Sequence, residues 1–362
     1  MFRVLRNNNI ATLKPDYQIL EDSTIVDSTG KIIFFSVEKF INEIALGDSC
    51  FICGAPNGSK EFNDEHVIPE WILRKYDMFD KHITLLNGEQ FTYSKYKIPC
   101  CVDCNSRLGK EVEEPIGAIV SQGYDAVVNY IKENGFWDFF IWLNLIFLKV
   151  QLRDKFFRFF LDNREPDVKI SELMDWNPLH HIHCIARSVY TKCSISSRVL
   201  GSFIVLPALE NEHIDKFDYG DNIPGKGILI KIGDTCFISI LNDSGASLNL
   251  FTDEMNRIEG ILTPLQYREI LAHLSFFNVN LVQRPLYFTS YNPEKGCEII
   301  AELPEIFEYK NTNEFKFGDF LYMGCSDFFE RSEDPRRDEI KEKVKEGRWT
   351  FLFDGNGDFI QC

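Results

Sequence analysis

The sequence predicts an α+β protein built of several parts: a cysteine-bearing unit, then aromatic-rich helices, then a β-rich C-terminal region. Three observations carry this. Two Cys-x2-Cys pairs, Cys50/Cys53 and Cys101/Cys104, bracket a polar stretch. Between about 121 and 165, apolar residues recur at helical spacing and include Ile131, Phe136, Phe139, Trp142 and Ile146. Beyond about 200, short apolar runs are punctuated by turn residues. The chain accordingly divides into a lead-in at 1–47, the cysteine unit at 48–120, a helical connector at 121–165 and an α/β domain at 166–362 that serves regulation or binds substrate or partner.

Composition narrows the function. With 362 residues the chain can bury a sizeable core without crosslinks. Its 32 phenylalanines point to large aromatic cores or to a buried interface, so oligomerisation is compatible with the composition. A net charge of -16 excludes broad, sequence-independent wrapping of nucleic acid, which rests on a basic footprint. Any such contact has to be local, metal-assisted or helped by a partner. Eleven cysteines together with an opening that lacks an apolar signal core fit a reducing, cytoplasmic setting, where paired cysteines read as metal ligands. The most apolar stretch, 135–149, is interrupted by Asp138 and Asn144 and falls short of the ~18 uninterrupted apolar residues of a spanning helix. It is expected to be a buried helix, with no membrane involved.

In the lead-in, β-prone runs at 23–26 and 32–35 flank Asp27-Ser-Thr-Gly30, a hairpin turn. Ser36 is placed to cap a helix with Val37, Phe40, Ile41 and Ile44 on one face. In the cysteine unit, Pro69 can begin a helix that turns Trp71, Ile72 and Tyr76 inward. A second helix after Cys104 runs through Leu108, Val112, Ile116 and Val120, with Pro115 as the point of kinking or division. Phe156, Phe157, Phe159 and Phe160 extend the aromatic helices, which are too apolar for a single buried face. Further on, Gly233-Asp234 joins strands at 228–232 and 236–241, and a helix over 264–277 gathers Ile270, Leu271, Leu274 and Phe277.

The chemistry begins with zinc. Thiolates are soft ligands suited to Zn2+, and a Cys-x2-Cys pair folds back so that both sulfurs reach one tetrahedral ion. Cys50, Cys53, Cys101 and Cys104 make the structural set. Cys101 is preferred over Cys100 because it restores the two-residue spacing to Cys104, which leaves Cys100 as a core thiol or a neighbour of the ligands. The stretch between the pairs exceeds the ~15 to 20 residues of a simple ribbon, as expected if a functional element is inserted there. That insert contains Glu65-His66.

The series Cys50-x2-Cys53, Glu65-His66-Val-Ile-Pro69, Cys101-x2-Cys104-Asn105 and Gly109-Lys110 resembles the HNH endonuclease family, the ββα-metal nucleases, in its cysteine-flanked, zinc-binding form. The likeness spans about residues 48 to 115. It implies a ββα-metal nuclease domain with a structural zinc and a catalytic Mg2+ or Mn2+. In it Glu65 takes the acidic metal-ligand position, His66 the general base and Asn105 the final metal ligand. These types suit phosphodiester hydrolysis, since imidazole accepts a proton near neutral pH and hard oxygens hold a divalent cation. The middle position, usually asparagine in the family, is Tyr96 here; Asn87 reaches it only if the loop shifts. Lys95, Lys97, Arg107 and Lys110 are candidate phosphate contacts, set among Glu111, Glu113 and Glu114. Glu113 either orients the motif helix or assists the metal.

The resemblance implies a DNA substrate, with RNA as an alternative because the catalytic group does not identify the sugar. It also admits a regulated bacterial defence effector working with a protein partner or activator such as a short Argonaute. A non-catalytic zinc module that binds nucleic acid or protein is the competing class. Elsewhere, His180, His181 and His183 are expected to be structural, at the start of a strand that turns adjacent side chains to different faces. Residues 354–358 read as a terminal turn, lacking the glycine and distal glutamate of a calcium loop. The basic run from Arg336 to Arg348 is interleaved with glutamates and reads as a salt-bridged helix.

Overall fold

Asp27 and Gly30 close the first turn of the chain. Gly30 takes φ +83° and donates its N–H to the Asp27 carbonyl at 2.9 Å, while Asp27 Oδ1 accepts from the N–H groups of Thr29 and Lys31. In the computed structural model, which describes residues 17–85, 87–162, 164–292, 296–312 and 314–361, this turn sits in a three-stranded antiparallel sheet. Its strands are β1 (Tyr17–Ile19), β2 (Ile25–Asp27) and β3 (Ile32–Phe34), in that order. Residues 1–16 of the expected lead-in lie outside the described residues. Ser36 caps the next helix as expected, its Oγ accepting from the Lys39 N–H at 3.1 Å. That helix, α1 (Val37–Lys39), runs into a wide π-helical turn over Phe40–Ala45.

Two compact units share the chain without dividing it into consecutive halves. The first holds the described residues of Met1–Ala118, with Ile141–Val199 and Leu286–Glu302; the second holds Ile119–Phe140, Leu200–Pro285 and the described residues of Leu303–Cys362. In the first, β4 (Phe62–His66) is followed by α2 (Glu70–Lys75), then by a hairpin of β5 (His82–Thr84) and β6 (Gln90–Thr92). β7 (Lys97–Cys101) then pairs antiparallel with β4, from Phe62 opposite Cys101 to His66 opposite Lys97. The chain passes directly into α3 (Val102–Leu108), a wide turn over Gly109–Glu113, and α4 (Glu114–Val120). Proline in a helix interior removes an N–H and crowds the carbonyl four residues back. The wide turn just ahead of Pro115 accommodates it, and Leu108, Val112, Ile116 and Val120 all stay buried.

After α5 (Tyr124–Asn134), Gly135 at φ +78° turns the chain into α6 (Trp137–Asp154). Phe139, Trp142, Leu143, Ile146 and Phe147 are fully buried, so α6 has no solvent stripe, as its all-round apolar sequence anticipates. Among the described residues no single helix is long and apolar enough to cross a membrane. The aromatic run after α6 corrects the sequence reading. The helix stops at Asp154, Phe156 is exposed, and Phe157 and Phe159 belong to an extended loop. Ile170 N–H donates to Phe157 O at 2.9 Å, and Phe159 N–H to Val168 O at 2.8 Å. Lys155 ends the helix by turning inward, where its Nζ donates to the carbonyls of Ile44 and Gly47.

The histidine cluster lies on a helix rather than at a strand start. α7 (Ile170–Leu173) precedes α8 (Asn177–Ala186), which has proline in its first turn, and α9 (Ser188–Thr191) and β8 (Ser194–Ile195) follow. In the second unit β9 (Phe203–Pro207), β10 (Phe217–Asn222), β11 (Gly227–Ile232) and β12 (Thr235–Ile240) form an antiparallel sheet of order β10-β11-β12-β9. Gly233 opens the expected two-residue turn at φ +58°. Beyond the short helices α10 (Ala246–Leu250) and α11 (Thr252–Met255), Thr263 and Gln266 form a capping box on α12 (Pro264–Val279). Its Ile270, Leu271, Leu274 and Phe277 join one core with Leu229, Ile238 and Ile240 of the sheet.

The hairpin of β13 (Leu286–Asn292) and β14 (Gly296–Glu302) belongs to the first unit, where β14 also pairs parallel with β8. Two helices follow, α13 (Phe317–Arg331) and α14 (Arg337–Lys345). Lys343 pairs with Glu339 and Lys345 with Glu342, the salt-bridged surface expected of α14. The terminal turn is also present: Asp354 N–H donates to Asp358 O at 2.9 Å, and Asp354 Oδ1 accepts from Asn356 and Asp358.

Candidate metal centre and carboxylate–lysine site

Both cysteine pairs sit where the backbone turns sharply. In the first, Gly54 N–H donates to Cys50 O at 2.8 Å and Cys50 N–H to Ala55 O at 2.9 Å. Gly54 takes φ +77°, and a Cβ there would come within 2.5 Å of the Phe35 ring, so both conformation and space require glycine. In the second, Cys101 is the N-cap of α3 and Cys104 lies in its first turn. The ligand atoms of Cys50, Cys53, Cys101 and Cys104 all lie within 4.8 Å of one another, compatible with a structural metal such as zinc. Cys100 stays outside this set as a buried thiol with its Sγ 3.8 Å from Cys50 Sγ.

The electrostatics favour a cation here. Contacts from Cys100, Cys104 and Cys53 hold Cys50 far below the usual thiol range, and Cys50 in turn pushes Cys100 and Cys104 far above it. Negative charge on the Cys50 sulfur is thus set against charge on Cys100 and Cys104. A dication held by Cys50, Cys53, Cys101 and Cys104 would offset such repulsion and favour the thiolate forms.

α8 secures the first knuckle from behind. His183 Nε2 donates to Phe51 O at 2.8 Å and His180 Nε2 to Phe35 O at 2.8 Å. Arg187, fully buried, donates to the carbonyls of Ile52, Ile33 and Ile32, with its guanidinium 4.5 Å from the Phe35 ring centroid. The histidine cluster thus reads backbone carbonyls, and His181 stacks on Tyr287 at 3.6 Å.

Glu65 and His66 end β4. Alternation along the strand puts Asn63 and Glu65 on one face and Asp64 and His66 on the other. Glu65 is buried, and its Oε1 accepts from Lys149 Nζ at 2.7 Å. The same ammonium donates to Glu113 Oε1 at 3.0 Å and to the His66 carbonyl at 2.8 Å. Burial raises Glu113 to about 7, offset in part by Lys149 and reinforced by Glu65. Burial opposes the charge on Lys149, but the two carboxylates outweigh it and hold the ammonium above its ordinary range. Lys149 was not legible as a site residue. Its one signal is a lone cation in the apolar run of α6.

His66 is half-buried, edge-on to Phe79 with centroids 6.0 Å apart. Burial and then the Lys97 ammonium lower its pKa, so it stays neutral and able to accept a proton. Lys97 lies directly opposite His66 in the β4–β7 ladder. Asn105 on α3 donates from Nδ2 to Asn63 Oδ1 at 2.9 Å, so its amide oxygen is the end that remains an acceptor. Both candidates for the middle position bond residues other than His66. Tyr96 is buried and donates its hydroxyl to Asp154 Oδ1 at 2.6 Å, and Asn87 donates to Arg158 O while accepting from Glu89 N–H. Tyr96 still contributes through its backbone, since Val67 N–H donates to its carbonyl at 3.0 Å.

Of the candidate phosphate contacts, Lys95 and Lys110 are exposed. Arg107 pairs with Glu111 at 3.7 Å and lies 5.5 Å from the Tyr190 ring centroid. Lys192, absent from the sequence reading, also bonds Glu111, at 2.7 Å. No family model, curated protein or solved structure matches the chain.

Proposed function

We propose that the chain is a metal-dependent endonuclease of HNH type that hydrolyses DNA phosphodiester bonds, with the four-cysteine centre as its structural zinc. One observation carries the reading. Glu65-His66 ends a strand paired antiparallel with β7, β7 runs directly into the helix that bears Asn105, and the cysteine set brackets the whole. His66, held neutral, accepts a proton from the attacking water. The oxygen of Glu65 not bonded to Lys149 and the Asn105 amide oxygen are hard donors that suit Mg2+ or Mn2+. Held by these oxygens, such an ion would supply positive charge to the scissile phosphate and the departing 3′ oxygen. Lys97, beside His66, is the best situated of the four cations to meet a phosphate. Cleavage leaves a 5′ phosphate and a 3′ hydroxyl.

The test is cleavage of single-stranded DNA, duplex DNA and RNA by the full chain with Mg2+ or Mn2+, alone and with a protein partner encoded beside it. His66→Ala should lose cleavage while keeping its zinc. Full activity in that variant removes His66 as the base, and RNA-only cleavage redirects the substrate. A second reading, a zinc module that binds without cutting, is favoured by the Lys149 bond to Glu65 and by the opposite faces taken by Glu65 and His66. Binding of nucleic acid without cleavage by wild type would select it.

A further inference from the structure

Lys149 is fully buried, and each of its three ammonium protons has an acceptor. These are Glu65 Oε1 at 2.7 Å, Glu113 Oε1 at 3.0 Å and the His66 carbonyl at 2.8 Å. The acceptors come from two separate stretches, the end of β4 and the wide turn after α3, while the lysine comes from α6. Two carboxylates and a carbonyl converging on one point are the oxygen set that a divalent cation takes in a protein. Here that point is filled by a nitrogen on a tether. A buried carboxylate pair without a cation is strongly unfavourable, because two like charges removed from water repel and neither is solvated.

We propose that Lys149 is a resident cation occupying what would otherwise be a divalent-metal position between Glu65 and Glu113, and that it is a positioning residue for the Glu65–His66 strand end. The ammonium neutralises the inner side of the pair, holds one oxygen of Glu65 away from any metal, and ties the His66 backbone to α6. In the proposed nuclease, on which this last role rests, a divalent ion is therefore confined to the outer oxygen of Glu65. The number of ions the site takes is set by Lys149. Its replacement by an apolar residue of similar length converts the inner position into a metal site.

The experiment counts Mn2+ bound to the zinc-loaded full chain by electron paramagnetic resonance, alongside melting curves with and without Mn2+. Lys149→Met should bind one more Mn2+ than wild type, and Mn2+ should raise its melting temperature more than that of wild type. The double variant Lys149→Met/Glu113→Gln, with one carboxylate neutralised, should lose the additional ion. Equal Mn2+ counts in wild type and Lys149→Met overturn the proposal, as does an extra ion that persists in the double variant. If Lys149→Met is recovered folded only when refolded with Mn2+, the proposal is supported; failure to recover it with Mn2+ counts against it. None of these readouts needs cleavage, so loss of the nuclease reading leaves the count intact. Where wild type does cleave, Lys149→Met should lower kcat with little change in KM, because Lys149 has no surface to offer the substrate.

Discussion

A cysteine at position 104 serves two structures, the four-thiol cluster and the helix. Its sulfur belongs to the four-thiol set, and its backbone lies in the first turn of α3, whose next residue is Asn105. Cys104→Ser keeps the size and removes the thiolate, so zinc should be lost and the unit around it loosened, because metal binding free energy at such a site is folding free energy. We expect zinc content near zero by elemental analysis and a lower melting temperature; retention of one zinc would show that Cys100 can enter the set. The choice between Cys100 and Cys101 was legible from spacing alone. The fate of Tyr96 was not, because its partner, Asp154, is separated from it by more of the chain than any local pattern covers. Lys149 is the same case at higher stakes: the residues that give it meaning are Glu65 and Glu113, and nothing near 149 in sequence announces them.

At the scale of elements, α8 shows how a histidine run can mislead. Adjacent histidines suggested a strand, yet Asn177-Pro178 ahead of them is a helix-start signal, and spacings of three and seven bring His180, His183 and Arg187 onto one side. That side docks on backbone carbonyls of β3 and of the first knuckle. A buried guanidinium is tolerable there because carbonyl oxygens and the Phe35 face surround it. Arg187→Met should leave two buried carbonyls and one part-buried carbonyl without this donor and cost about 3 kcal/mol in denaturant unfolding. It should also weaken zinc binding about tenfold, as loss of the groups that orient ligands does. Unchanged zinc affinity, measured by competition with a chelator, would mean that the knuckle holds its shape without α8. Elements set by local chemistry, such as the Ser36 cap, the Gly233 turn and the start of α12 at Pro264, were readable in sequence. The end of α6 was not, since Asp154 closes the helix for reasons that lie in Lys155 and its distant carbonyls.

For the molecule as a whole, the two units differ in how they meet acid. All three deeply buried histidines belong to the first unit, whereas the second carries only His213, exposed, and His273, partly exposed. Burial depresses His180 to about 4 and His181 to about 3, and drives His183 well below its ordinary value. With folded pKa values below the unfolded value of 6.5, the unfolded chain binds more protons between those limits. The stability these groups contribute is complete above pH 6.5 and is lost as pH falls toward 4. For His180 alone the loss is on the order of 3 kcal/mol. Glu113 acts in the opposite sense: raised to about 7, it adds stability as pH falls from 7 toward 4.5, by a similar amount. One such group does not offset three histidines, and zinc release in acid adds to their effect. The first unit should therefore open before the second. Hydrogen exchange corrected for intrinsic rates should show protection falling in β4, β7 and α8 between pH 6.5 and 4.5 while β11 and β12 stay protected. His181→Phe, which keeps an aromatic ring against Tyr287 and removes one titrating group, should lessen the loss by about 1.4 kcal/mol per pH unit. Simultaneous loss in both units, or an acid limb unchanged in His181→Phe, would assign acid sensitivity to carboxylates instead.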